Sequence, residues 1–179
     1  MMTNTMRLEF AREYRADILE EVPGDGQICY FPEAQCESPL LVRFTLPDGA
    51  SWVGGFGTGS LAARACTGVF ASPSPTRSCL VSRGRAYLVN VKEAGKTKVL
   101  LSELVVQVVA DVPAGVLLLA DPWQLHAFGA AGLSWSSNRI ATEGFQVLSA
   151  DERLVVVRVE DPDGEFEDRR LDVRTGQFV

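Results

Sequence analysis

The residues best suited to acid–base chemistry lie close together in the second half of the chain. His126 is the only histidine among the 179 residues, and Asp121 precedes it by five positions (121 to 126). An imidazole beside a carboxylate can act as a general base, and any Ser-His-Asp arrangement here would have to use His126. The chain has no Gly-x-Ser-x-Gly nucleophile motif. We therefore interpret His126 as a structural strand residue and Asp121 as a turn residue, with a pocket near both as the alternative.

A glycine-rich stretch, Gly54–Ser60, is the second candidate site. A phosphate loop offers backbone N–H groups at a helix start, and the P-loop also requires Gly-Lys-Ser/Thr. No lysine is present in this stretch. We predict a wide connecting turn, with anion binding as one alternative. A ligand-binding rim that exposes Phe56 is the other.

Three tryptophans, Trp52, Trp123 and Trp135, could line a binding surface or serve as large packing elements of a sheet. Packing is the more common use. Trp123 directly follows an Asp-Pro turn, so if any of the three is exposed, we expect it to be Trp123. The candidate binding surface therefore comprises Asp121, Trp123, His126 and Phe56, and we assign no catalytic residue.

Cysteine spacing gives no metal site. The four cysteines contain no Cys-x-x-Cys pair, and a zinc site would need all four thiols to converge. We predict no metal and no cofactor. The N-terminus lacks an apolar secretory segment, and the apolar region 99–120 is interrupted by polar residues. We expect a soluble, cytoplasmic protein with reduced thiols.

The charge balance limits the partners. The chain has 17 Lys+Arg against 23 Asp+Glu, a net charge of −6, and a pI near 4.9. Long-range repulsion then disfavours nucleic acids and anionic membranes. The expected partner is another protein or a second copy of this chain.

The elements that position these residues read as strands. About a dozen short apolar runs are separated by Gly, Pro and Asp turns, a pattern typical of an all-β protein. We predict one domain over residues 1–179, with residues 1–5 disordered. The β-branched run 99–110 is predicted as one long strand.

Four of the apolar runs have nearly equal spacing. They are separated by 39, 37 and 37 residues, and each is followed by a turn and a second strand. The runs begin at Leu41-Val42, Leu80-Val81, Leu117-Leu118 and Leu154-Val155. This indicates one structural unit of under 40 residues used four times, although apolar runs are common enough to align by chance.

Two segments carry a resemblance to a known family. Leu125-His126-Ala127-Phe128-Gly129, followed by Gly132 and Trp135, resembles the strand–turn–Trp ending of quinoprotein-type β-propeller blades. Leu171–Gln177 resembles the Leu-Asp-x-x-Thr-Gly-Lys form of the same segment. The resemblance implies that the tryptophan docks one blade on its neighbour and that the glycine permits the turn. It carries over no cofactor-binding residue and no quinone chemistry.

Antiparallel blade-like sheets of this kind can form a small closed propeller, an open arc or a β-sandwich. An open arc leaves apolar edges uncovered, and a homodimer would cover them. We expect a non-enzymatic binding or scaffold protein that presents loops to a protein partner. The alternative is a small-ligand binder or hydrolase-like enzyme with a pocket near His126 and Asp121. A concave pocket at His126 favours the enzyme, and an apolar patch around Trp123 favours the scaffold.

Overall fold

The computed structural model describes residues 5–24, 27–31, 38–60, 62–101, 104–160 and 163–179. These residues form sixteen strands in four sheets and one 3-10 turn, Ala94–Lys96. The prediction of an all-β fold built mainly from antiparallel sheets is therefore confirmed. None of the described ranges contains a helix long and apolar enough to cross a membrane. Contacts group the chain into two compact units, Met1–Leu104 (unit 1) and Val105–Val179 (unit 2).

Unit 1 is built from two sheets. Its strands are β1 (Thr5–Arg7), β2 (Arg15–Leu19), β3 (Ile28–Phe31), β4 (Leu40–Thr45), β5 (Ser51–Phe56), β6 (Gly68–Ala71), β7 (Arg77–Ser82), β8 (Arg85–Asn90) and β9 (Lys98–Leu101). Sheet A has the strand order β1-β6-β7-β8-β9, and sheet B has the order β2-β4-β5-β3. Neighbouring strands are antiparallel except for the parallel pairs β1–β6 and β3–β5.

Unit 2 also contains two sheets. Its strands are β10 (Gln107–Asp111), β11 (Val116–Ala120), β12 (Leu125–Gly129), β13 (Gly132–Ser136), β14 (Phe145–Ala150), β15 (Leu154–Glu160) and β16 (Phe166–Asp172). Sheet C has the order β10-β11-β12-β13, and sheet D has the order β14-β15-β16. Every pair of neighbouring strands in these two sheets is antiparallel.

The four nearly equally spaced apolar runs lie in four different sheets. Each run lies in the first strand of an antiparallel pair, and the next strand of the chain is its partner. The pairs are β4–β5 in sheet B, β7–β8 in sheet A, β11–β12 in sheet C and β15–β16 in sheet D. The spacing of the four apolar runs thus reflects one hairpin of this kind in each of the four sheets.

Each unit has its own apolar core between its two sheets. In unit 1, Phe44 and Phe56 of sheet B pack with Leu80 and Tyr87 of sheet A. In unit 2, the inward residues of sheets C and D form a second cluster: Leu118, Ala120, Leu125, Ala127, Val147, Val155, Val157, Val159 and Leu171. Inward residues alternate along each strand because successive side chains of a strand point to opposite faces.

A tryptophan hydrogen bond joins the two sheets of each unit. In unit 1, Trp52 Nε1 of sheet B donates to the Val91 carbonyl, which follows β8, over 2.8 Å. In unit 2, Trp135 Nε1 of sheet C donates to the Val173 carbonyl, which follows β16, also over 2.8 Å. Both carbonyls lie in a turn closed by a side chain. Asn90 accepts the N–H groups of residues 92 and 93, and Asp172 accepts those of 174 and 175.

Two local predictions differ from the structure. Residues 1–4 lie outside the described ranges, but Thr5, which we expected to be disordered, begins β1 through its pairing with Gly68. The run 99–110 is not one strand, because it contributes β9 to sheet A and β10 to sheet C.

Candidate functional site

The site is built around the turn that joins β11 to β12. Asp121 stands directly after β11, and its Oδ1 accepts the backbone N–H groups of Trp123 and Gln124, both at 2.7 Å. Its own N–H donates to the Gln124 carbonyl over 3.0 Å. A short Asp side chain commonly closes a turn in this way. Asp121 therefore has the turn role that the Asp-Pro sequence predicts.

The second oxygen of Asp121 reaches the histidine. Asp121 Oδ2 lies 3.0 Å from His126 Nε2, and His126 Nδ1 lies 2.8 Å from Ser136 Oγ. His126 is on β12 and Ser136 is directly opposite on β13. His126 is only 7% exposed and Asp121 only 5%. The result is a chain of hydrogen bonds, Ser136–His126–Asp121, in which both imidazole nitrogens have a partner.

The charge of Asp121 sets the direction of these hydrogen bonds. Burial raises the pKa of Asp121, but hydrogen bonds from His126 and from the N–H groups of Trp123 and Gln124 outweigh burial and leave that pKa below its usual value. Asp121 is then ionised near neutral pH and can only accept. His126 Nε2 therefore carries a proton and donates to Asp121. In neutral His126, Nδ1 accepts the Ser136 hydroxyl proton.

Trp123 is the exposed part of this turn. Its side chain is 41% exposed, whereas Trp52 and Trp135 are only partly exposed and hold hydrogen bonds at sheet contacts. The expectation that Trp123 is the exposed tryptophan is confirmed. Both backbone groups of Trp123 are fixed, because its N–H donates to Asp121 and its carbonyl accepts Ile140 N–H over 2.7 Å. A large aromatic ring is thus held at the surface by a rigid backbone.

Phe56 does not belong to this surface. The expectation of an exposed Phe56 is wrong: its side chain is 0% exposed in the core of unit 1, stacked on Phe31 and edge-on to Tyr87. The glycine two positions earlier allows this packing, since a Cβ at Gly54 would lie 2.6 Å from Phe56 Cζ. An aromatic ring at the end of a strand is buried whenever its face of the sheet is covered.

The glycine-rich loop after Phe56 has little capacity left for an anion. The N–H groups of Gly57, Gly59 and Ser60 donate to the carbonyls of residues 31, 82 and 83 at 2.7 to 3.0 Å. A phosphate cradle needs free N–H groups. Residues 57–60 therefore connect β5 to the segment leading to β6, as predicted, whereas Gly54–Phe56 belongs to β5 itself.

Two clefts of unit 2 share the lining residues Glu152 and Arg174. A cleft of about 310 Å³ is lined in part by Trp135, Glu152 and Arg174. A second, of about 720 Å³, is lined in part by Asp151, Asp172 and Arg174. Neither is lined by His126 or Asp121. An enzyme site at His126 would need both a carboxylate and a pocket. Asp121 supplies the carboxylate, but neither of these two clefts opens onto His126.

Metal-ligating and thiol groups are dispersed. In the described part of the chain, no group of three or more His, Cys, Asp or Glu side chains is placed to hold a metal ion. Cys29, Cys66 and Cys79 are free thiols, and Cys36 falls outside the described residues. Burial raises the pKa of Cys66 to about 11 and that of Cys79 further, so both stay protonated near neutral pH.

Ser136 is the site residue that the sequence did not reveal. Next to the turn, Gly129 pairs with Gly132 and Phe128 pairs with Leu133. If the pairing continued in this register, Trp135 would lie opposite His126. A bulge between Ala127 and Phe128 shifts the register by one residue, so that His126 lies opposite Ser136 instead.

Neither a protein-family model nor a curated protein matches this chain.

Proposed function

We propose that this protein is a non-enzymatic binding or scaffold protein that presents the Asp121–Gln124 turn to a protein partner. The observation that carries the proposal is the exposed Trp123 ring on a turn held by several backbone hydrogen bonds. Tryptophan is over-represented among residues that dominate binding energy at protein interfaces. A turn that is already rigid loses little conformational entropy on binding.

The hydrogen-bonded chain behind the turn supports this use. Asp121 holds Trp123 and Gln124 through one oxygen and is itself held by His126 through the other. Gln124 Nε2 adds a bond to the Ser137 carbonyl over 2.8 Å. Because both nitrogens of His126 are hydrogen-bonded, the imidazole is fixed in place and in turn holds Asp121.

Site-specific photocrosslinking tests the proposal. A photoreactive phenylalanine analogue at position 123 is compared with the same analogue at Phe166, an aromatic residue of unit 2 that is 66% exposed on a strand edge. In extracts of the native host, we expect one defined protein adduct from position 123 and none from position 166. Unlabelled wild-type protein should compete for the adduct, and Trp123→Ala should not. Equal adducts from both positions, or competition by Trp123→Ala, would contradict the proposal.

Self-association is part of the same proposal. A second copy of the chain is one candidate for the partner, in which case the adduct has twice the mass of the chain. Light scattering would then show a dimer of the wild type and a monomer of Trp123→Ala. A monomeric wild type with a heterologous adduct assigns the turn to another protein instead.

We also infer that the four hairpin-bearing sheets are copies of one blade-like unit of the quinoprotein propeller type. The near-equal spacing of the four runs and the two tryptophan-to-carbonyl bonds support this inference. The free thiols of Cys29, Cys66 and Cys79 support a reducing compartment, and we propose the cytoplasm.

A hydrolase-like function is the second candidate, since Ser136, His126 and Asp121 are linked as in a nucleophile–base–acid arrangement. Ser136 is exposed. In this function its Oγ would attack an electrophilic centre while its proton passes to His126 Nδ1.

A fluorophosphonate probe tests this chemistry, because attack by Ser136 forms an O–P bond and expels fluoride. Labelling of the wild type and of the control Ser134→Ala, with none in Ser136→Ala, would establish the nucleophile. The control fits because Ser134 is exposed on the same strand. No labelling of the wild type would rule this function out.

A further inference from the structure

Two arginines of unit 1 stand out because each has a buried side-chain nitrogen without a hydrogen-bond partner among the described residues. Arg83 and Arg85 flank Gly84 at the hairpin between β7 and β8. This nitrogen is Nε in both residues: it is enclosed by protein, and no atom of the described ranges accepts its hydrogen. In the described part of the chain, neither guanidinium takes part in an ion pair. A desolvated donor without an acceptor is unfavourable, and a bound ion, water or ligand group can satisfy it.

The backbone at Arg83 is a second, independent sign. Its φ of +46° makes it the only non-glycine residue with positive φ among those that the structure describes. Hairpin turns of this kind favour Asn or Gly at that position, because a Cβ is strained there. Residues kept in such a conformation concentrate at functional sites. The conformation that Arg83 adopts is one that a side chain disfavours, and this supports a functional role for the residue.

The hairpin is held rigidly from two sides. Gly59 N–H and Ser60 N–H donate to the Ser82 and Arg83 carbonyls over 3.0 and 2.7 Å. A Cβ at Gly59 would lie 2.7 Å from both Arg83 O and Arg85 N, so the loop packs directly on the hairpin. On the other side, Gly84 N–H donates to the Cys66 carbonyl over 2.8 Å. These bonds fix the backbone from which both guanidinium groups extend.

The local charge differs from that of the whole chain. Residues 49–92 contain five basic residues and no Asp or Glu, although the chain carries a net charge of −6. The basic residues are Arg64, Arg77, Arg83, Arg85 and Lys92. The loop and segments packed on the hairpin, residues 57–60 and 66–67, therefore supply no carboxylate to neutralise the arginines.

We propose that Arg83 and Arg85 form a binding site for the oxyanion group, phosphate or carboxylate, of a small ligand. A guanidinium is a planar fork that donates two parallel hydrogen bonds to two oxygens of such a group. The N–H groups of the adjacent glycine-rich loop donate to carbonyls instead. Recognition therefore rests on the two side chains and not on the loop backbone.

Nuclear magnetic resonance of the arginine Nε–H groups tests the site in the full chain. Single Arg83→Gln and Arg85→Gln variants assign the two resonances. Inorganic phosphate and acetate are then titrated separately at constant ionic strength. We expect both resonances to shift and to saturate with the same midpoint. The anion with the lower midpoint identifies the ligand group as phosphate or carboxylate.

Variants separate a specific site from general charge. Arg83→Lys and Arg85→Lys keep the charge and lose the fork, so we expect the affinity to fall about tenfold or more in each. The double variant Arg83→Gln/Arg85→Gln should not bind. The control Arg12→Gln/Arg15→Gln removes the same charge from exposed positions and should bind as the wild type does.

Thermal unfolding gives a second readout that does not depend on the resonances. The better anion should raise the melting temperature of the wild type and of the control, and leave that of the double Gln variant unchanged. If the double Gln variant does not fold, the two Lys variants carry the comparison. Shifts that grow without saturation, or that are equal in the control and the Arg83/Arg85 variants, would overturn the proposal.

Discussion

The contact between Trp135 and Gly176 offers the sharpest test of how sheets C and D are held together. Gly176 follows Asp172 in the turn that receives the Trp135 hydrogen bond, and its φ is +68°. A Cβ at this position would lie 2.6 Å from Trp135 Cζ3. Gly176→Ala therefore introduces a steric clash with the indole as well as backbone strain.

A matched glycine separates the two effects. Gly115 has nearly the same φ, +67°, but a Cβ there would meet nothing within 4 Å. Gly115→Ala should thus cost only the left-handed conformation, about 1–2 kcal/mol. Gly176→Ala adds overpacking of about 1–3 kcal/mol, for a total of about 2–5 kcal/mol.

Urea unfolding followed by far-ultraviolet circular dichroism measures these free energies, with the dependence on urea concentration checked in each variant. In a Trp135→Ala background, Gly176→Ala should lose its clash and cost about as much as Gly115→Ala. The coupling in this double-mutant cycle is then about 1–3 kcal/mol. Equal costs for the two glycine variants, or no coupling to Trp135, would refute the packing of the indole on Gly176.

Three further outcomes are expected. Ser137→Ala should lower the free energy of unfolding by about 1–3 kcal/mol, because the buried Ser137 Oγ accepts the Leu125 N–H. The control Ser134→Ala should change it by less than about 0.5 kcal/mol, as measured by urea unfolding. Because the pKa of Asp121 is lowered in the folded state, its ionised carboxylate stabilises the fold. This contribution is complete above the unfolded pKa of about 4 and is lost as pH falls through the folded pKa. The stability gap between wild type and Asp121→Asn should therefore narrow on acidification, and parallel pH profiles would contradict this. Gln107→Ala removes both side-chain bonds to the Val147 backbone, so it should cost about 1–3 kcal/mol and speed amide exchange in β14.

The strands could be predicted because local physics determines them. Pro47-Asp48-Gly49 and Arg83-Gly84 specify turns, and the runs around them alternate at the period of a strand. The division of the run 99–110 into two strands could not be predicted, because a continuous β-branched stretch has the same composition whether it forms one strand or two. Sequence spacing also located the hairpins, but not which sheets face one another.

The site was only partly predictable. Asp121 before proline and Trp123 after it indicated a turn and an exposed ring. The partner of His126 depends on a single bulge, which shifts the register by one residue and moves Ser136 opposite the imidazole. Phe56 was misplaced because the covering of its sheet face depends on Tyr87, 31 positions further along the chain (56 to 87). Such long-range contacts leave no local pattern.

The strand order has a consequence for synthesis on the ribosome. Every pairing in sheets C and D joins consecutive strands, so these sheets can form as their residues emerge, with little loop-closure entropy to lose. In sheet A, by contrast, β1 must wait for β6, more than 60 residues later (Arg7 to Gly68), while the strands of sheet B are made in between. Among the described strands, β1 therefore waits longest for its partner. Until β6 is made, the edge of β1 is unpaired and open to aggregation.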